Sequence, residues 1–160
     1  MESRVLFVCT GNIFRSLAAE YALRDALLPR RDVLVASAGT EDFPHVVTPL
    51  VRNYLLVKGL DVRNHARRTL TRAMLCESRL VVAMSTDHRS FLSEQFAMDV
   101  PLFTQACGGA AEALPDIEEV VSDYRTNAPG VEAHVRHTID RIIALAPAMA
   151  KRIDALLAGS

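Results

Sequence analysis

Several features that announce a special class of protein are scarce or missing in this chain of 160 residues. Cysteine occurs three times, as Cys9, Cys76 and Cys107, with no C-x-x-C pair and no histidines interleaved at ligand spacing. That argues against a disulfide framework and against a structural zinc site. No apolar run approaches the roughly 20 residues needed to span a bilayer, and Val5 to Val8 is too short for a signal-peptide core. Net charge is nearly nil, −1 at pH 7, so no long-range field draws the chain to nucleic acid or to an anionic membrane. Lysine is rare, 2 against 16 Arg, a bias that genome base composition produces as readily as function. The expectation is a cytoplasmic protein with no nucleic-acid partner, no membrane insertion, no metal and no cofactor.

What remains is ordinary globular material, 50% apolar and 23% charged, enough to bury one core and too little for two. One domain over 1–160 is expected. Val5-Leu6-Phe7-Val8 is continuously apolar, as a strand covered on both faces must be. Thr10-Gly11-Asn12 breaks it, and Leu17, Ala18, Tyr21, Ala22, Ala26 and Leu27 then follow at helical spacing.

The pattern repeats along the chain. Val33 to Ala36 reads as a second strand and Leu80 to Met84 as a third, while Val100 to Phe103 is a weaker fourth because Pro101 suits an edge or a strand start. Thr48-Pro49 opens a helix that runs toward Gly59, Leu70 to Cys76 suggests a short one, and Ser85-Thr86-Asp87 caps another. From Thr104 to Pro129 small, acidic and turn residues predict loop or short helix. Val131 to Ala146 is helical, Pro147 should end or kink it, and the tail from about 148 reads as an accessory helix. Alternating strands and helices predict an α/β three-layer sandwich around a four-stranded parallel sheet.

In such a sheet, ligands collect beyond the carboxyl ends of strands, and Cys9 stands at that place. An isolated cysteine is more often a small buried hydrophobe than a nucleophile, but its neighbours change the weighting. Cys9 and Arg15 enclose five residues, so the chain can curl around one tetrahedral anion and set a guanidinium beside a thiolate. Arg15 can hold two phosphate oxygens at once. Gly11 permits a close turn, and the amides from Thr10 through Ile13 and Phe14 to Ser16 can point inward as an anion nest that favours an ionised sulfur. The Ser16 hydroxyl is placed to donate to Cys9, and Asn12 to hold the loop's shape.

The string Val8-Cys9-Thr10-Gly11-Asn12-Ile13-Phe14-Arg15-Ser16-Leu17 resembles the signature of the low-molecular-weight protein-tyrosine phosphatases, essentially V-C-x-G-N-I-C-R-S-P. The resemblance extends to Ser37-Ala38-Gly39-Thr40, Gly59-Leu60-Asp61, the segment from His65 to Thr71, and Leu80 to Met84. It implies a phosphotyrosine phosphatase I-like fold and hydrolysis of phosphotyrosine monoesters through a phosphocysteine. The implied partner is a tyrosine-phosphorylated protein, such as a substrate of a bacterial tyrosine kinase, or a small aryl phosphate. Phe14 stands where the family has a second loop cysteine, and Leu17 where it has proline. Ile13 fits the tyrosine-specific version, since related protein-arginine phosphatases carry Thr there.

Ester cleavage also needs a proton for the leaving atom, supplied in the family by the Asp of a D-P-Y or D-P-F triplet. No such triplet occurs here. Asp123, in Ser122-Asp123-Tyr124, is preferred by its distance from Arg15 and from the last helix, with Asp116 as the alternative. The resemblance makes Phe43 an aromatic wall of the cleft and Tyr124 a lining residue beside Ile13. His134 and His137 are three apart but lack a third ligand. Rival functions are protein-arginine phosphatase, thiol-coupled arsenate reductase, which needs more cysteines at the pocket, and a non-catalytic phosphoprotein-binding module.

Overall fold

The computed structural model describes residues 2–160. A parallel sheet lies between two layers of helices. Strand β1 (Ser3–Cys9) is central, flanked by β2 (Val33–Gly39) and β3 (Leu80–Ala83), giving the order β2-β1-β3. The register places Val5 opposite Val35 and Leu80.

β1 is buried on both faces, which explains its continuous apolarity. Val5 and Phe7 face one core together with Val35 and Val82, whereas Leu6 and Val8 face another with Ala36 and Val81. Side chains alternate faces along a strand, so a fully covered strand needs apolar residues at every position. The first core is closed by α1 (Arg15–Leu27), α2 (Pro49–Val57), α5 (Phe103–Ala106) and α7 (Ala128–Ala158). The second is closed by α3 (Arg72–Cys76) and α4 (Thr86–Phe96). The remaining short helix, α6 (Ile117–Val120), stands near the carboxyl end of the sheet.

Helix starts follow the capping chemistry. Thr48 Oγ1 accepts from Val51 N at 3.4 Å with Pro49 at the first helical position, and Thr71 Oγ1 accepts from Met74 N at 3.2 Å. Such caps satisfy amides that the first helical turn leaves without partners.

Two expectations change. The sheet has three strands and not four: beside β3 the expected fourth survives only as a parallel bridge between Ala83 and Leu102, with Ala83 N donating to Pro101 O at 3.0 Å. Pro101 has no N–H to extend a ladder, and Phe103 already begins α5. Pro147 neither ends nor divides the last helix, because α7 runs through it to Ala158. Its ring lies on the exposed face, while Met149 and Ile153 beyond it are fully buried. The apolar contacts on both sides outweigh the hydrogen bond that proline removes, a local cost of about 3 kcal/mol. Among the described residues no helix is long and apolar enough to cross a membrane.

Candidate active site

The segment between β1 and α1 winds into a loop at the carboxyl end of the sheet. Its shape is fixed from below. Asn12 adopts a left-handed conformation, φ 58°, that most side chains resist, and a buried network holds it there. Asn12 Nδ2 donates to Ser16 Oγ at 3.0 Å and to Ser37 Oγ at 2.7 Å, while its Oδ1 accepts from Arg68 N at 3.0 Å. Ser37 in turn donates to the buried Glu20, which is paired with Arg24. Asn12 O is bridged to His65 Nε2 at 3.0 Å. Burial pushes the His65 imidazole below its usual protonation range, which suits a neutral bridging ring.

The order of donors determines what Ser16 does. Asn12 spends both amide hydrogens on the two serines, and the Ser37 proton goes to Glu20. The Ser16 hydroxyl already accepts from Asn12, so its proton is left to point at Cys9 Sγ, 2.9 Å away. Asn12 N points at the same sulfur from 3.3 Å. Cys9 is 2% exposed and faces these donors from the end of β1. Both contacts favour negative charge on sulfur.

The loop sits tight against β2. Thr40 N and Glu41 N donate to Cys9 O and Thr10 O, at 2.9 and 3.1 Å. A Cβ on Gly39 would lie 2.6 Å from Thr10 O, closer than packing allows, so glycine is needed for this approach. Arg67 clamps the outer side, donating to Gly11 O at 2.9 Å and Glu41 O at 2.6 Å.

Arg15 begins α1 and is 2% exposed. Its Nη1 donates to Leu114 O at 3.0 Å and its Nη2 to Asp116 Oδ2 at 3.0 Å, with Thr10 Oγ1 at 3.5 Å. Thr10 Oγ1 also meets His88 Nε2 at 2.9 Å. Burial first, then the adjacent Arg15 charge, pushes the His88 protonation range down to about 4, so His88 stays neutral beside the guanidinium.

Asp116 is held from three sides. Leu114 N donates to Met84 O at 3.0 Å, and His134 Nε2 lies 3.1 Å from Pro115 O. The other carboxylate oxygen of Asp116 accepts from Ile117 N at 2.8 Å, and Glu119 returns a contact to Asp116 N at 2.8 Å, forming a capping box for α6.

Above the loop opens a cavity of about 490 Å³. Cys9, Thr10, Gly11, Phe14 and Arg15 form its floor, and Ile13, Tyr124, Ile117 and Val131 give it apolar walls. Glu41, Asp116 and Glu118 stand around it with His45. Asn12 and Ser16 are fully buried beneath and shape the floor without forming it. Asp123, the acid preferred from sequence, is exposed and does not line the cavity, and its carboxylate accepts from Asn127 Nδ2 at 3.1 Å. Asp116 lines the cavity in direct contact with Arg15. Phe43 is 61% exposed and packs on His45, ring centres 5.3 Å apart, away from the cavity wall. Cys76 and Cys107 are outside it as well, and burial pushes the Cys107 thiol up to about 12. No cluster able to hold a metal ion occurs among the described residues.

The sequence alone pointed to no role for His88, Leu114, Glu41 or Glu118, and marked His134 only as half of a pair lacking a third metal ligand. Only Asp116 carried a readable signal, the D-x-x-E box that it forms with Glu119.

Comparison with known proteins identifies the family. The profile of the family described as low molecular weight phosphotyrosine protein phosphatase matches residues 4–157. The chain belongs to that family. A protein-arginine-phosphatase of Bacillus subtilis is 33% identical over 100 residues, 58% of this chain and 62% of that protein. The low molecular weight protein-tyrosine-phosphatase Etp of Escherichia coli is 35% identical over 85 residues, 52% of this chain and 55% of Etp. The chain thus spans somewhat over half the length of the curated relatives it matches. The crystal structure of a YwlE mutant from Bacillus subtilis superposes with a TM-score of 0.80 at 25% identity, covering 96% of this chain and 99% of that one. A phosphotyrosine phosphatase I-like fold follows.

Proposed function

We propose that this chain is a cysteine-dependent protein phosphatase that works through a phosphocysteine, and that its substrate is phosphoarginine. The observation that carries the chemistry is Cys9 Sγ, held by Asn12 N and Ser16 Oγ, in the cavity that the Arg15–Asp116 pair also lines. A phosphate dianion in this cradle takes the loop amides and competes with Asp116 for Arg15 Nη2. Cys9 thiolate attacks phosphorus in line, the S–P bond forms, and the bond from phosphorus to the leaving nitrogen breaks as Asp116 gives that nitrogen a proton. Water then attacks the phosphocysteine, Asp116 takes its proton, and inorganic phosphate leaves with the thiolate restored. Arg15 and the amides stabilise the equatorial oxygens throughout.

Three carboxylates around the cavity support a cationic guanidine as the departing group. The first curated relative reported above carries the arginine-phosphatase name, and Phe43 does not supply the aromatic wall that a phenyl ring would use. Phosphotyrosine is the second reading, favoured by Ile13 in the loop and by Tyr124 on the wall. Thiol-coupled arsenate reduction finds no second cysteine in the cavity.

A panel of matched phosphoarginine, phosphotyrosine and phosphoserine peptides, assayed with a metal chelator present, separates these readings. The expected result is turnover with kcat/KM about tenfold higher for phosphoarginine than for phosphotyrosine. A preference for phosphotyrosine replaces the first reading by the second. Binding without turnover of any peptide overturns both.

A further inference from the structure

A second cavity, of about 270 Å³, abuts the first, and the two share Ile13 and His45 as a dividing ridge. Their walls differ in charge, although Arg15 lies on the floor of the first. The first has Glu41, Asp116 and Glu118 on its walls, whereas the second is lined by Arg52, Arg63 and Arg67 with no carboxylate. The net charge of the whole chain is −1, so this is a local concentration of positive charge.

The three arginines are not equivalent. Arg67 is committed to Gly11 O and Glu41 O, and Arg63 to Asp61 at 2.6 Å. His65, also on the wall, is committed to Asn12 O. Arg52 is exposed on α2 and makes no ion pair or side-chain hydrogen bond among the described residues. Its guanidinium is a planar fork matched to a carboxylate. Val47 and Val62 provide an apolar bed for the methylenes of a side chain entering beside it.

Resting on the reading that the first cavity takes a phosphorylated residue of a protein, we propose that the second is a substrate subsite for an acidic side chain, Asp or Glu, flanking that residue, with Arg52 as its main contact. A peptide crossing the ridge of Ile13 and His45 then meets opposite charges on its two sides. The subsite thereby selects sequence context, and the loop selects the phosphoryl group.

The test uses the Cys9→Ala chain, which has no nucleophile at that position to take the phosphoryl group, and measures binding by fluorescence anisotropy. The probes are phosphoarginine and phosphotyrosine peptides with Asp and Glu beside the phosphorylated residue, each against the same peptide with Ala there. Acidic flanks are expected to tighten binding about 3- to 10-fold at low salt. That ratio should fall toward one in Arg52→Ala, fall below one in Arg52→Glu, and shrink at high salt. An unchanged ratio in both Arg52 variants overturns the subsite. The same peptides given to the wild-type chain separate the two readings: no hydrolysis, with the Arg52-dependent ratio intact, removes the phosphatase and keeps the subsite. Failure of every phosphopeptide to bind removes both.

Discussion

Replacing Cys9 by Ser is expected to lower kcat by about 10⁴-fold or more. The side chain shrinks slightly and keeps a hydroxyl that Ser16 Oγ and Asn12 N can still approach, so the loop, held independently through Asn12 and Ser37, stays folded. What disappears is the chemistry of sulfur. An alcohol is a far weaker acid and a poorer nucleophile than a thiol, and a serine oxygen parts from phosphorus far less readily than a cysteine sulfur. Binding of a phosphopeptide should persist, as should the melting temperature to within a few degrees. Steady-state kinetics with a thermal melt check this. Turnover near the wild-type rate in Cys9→Ser would mean that another group attacks phosphorus.

The second large effect distinguishes two aspartates seven residues apart. Asp116→Asn should reduce kcat about 10²- to 10⁴-fold on a phosphopeptide, since the amide neither gives up the proton nor later takes one from water. The loss should be smaller on nitrophenyl phosphate, whose leaving group departs without help. The amide oxygen can still accept from Ile117 N, and the lost ion pair with Arg15 lies at a partly exposed side chain, so the fold should tolerate it. Asp123→Asn should stay within about threefold of wild type, as a change at an exposed residue bonded only within its own turn. Rate constants for the two variants on both substrates provide the check. The reverse ranking would assign the proton to Asp123.

How much was legible follows from how local each feature is. Cys9 to Ser16 is one contiguous segment between a strand and a helix, so its place at the carboxyl end of the sheet follows from local sequence. Asp116 arrives from a hundred residues away, and the contacts that seat it, from Arg15 to Leu114 O and from His134 to Pro115 O, leave no pattern in the sequence. Spacing from the last helix favoured Asp123, but the chain between carries α6, which Asp116 itself caps. Phe43 sits at a family position for an aromatic wall, yet its ring turns to His45. In the fold, the buried strands were readable because both faces are covered and every position is apolar. The fourth strand was not, because Val100 to Phe103 has the apolarity of a strand while Pro101 lacks the donor for a ladder. Pro147 suggested an end or a kink, and the end does not occur, because the buried Met149 and Ile153 beyond it offset the local cost.

The phosphoenzyme tests the central chemistry most directly. Asp116→Asn, mixed with nitrophenyl phosphate, whose leaving group needs no proton, and quenched before the slowed hydrolysis completes, should carry one phosphoryl group, and mass spectrometry of its peptides should place that group on Cys9 sulfur. Phosphate on any other residue, or turnover with Cys9 never modified, would contradict the assignment of the nucleophile.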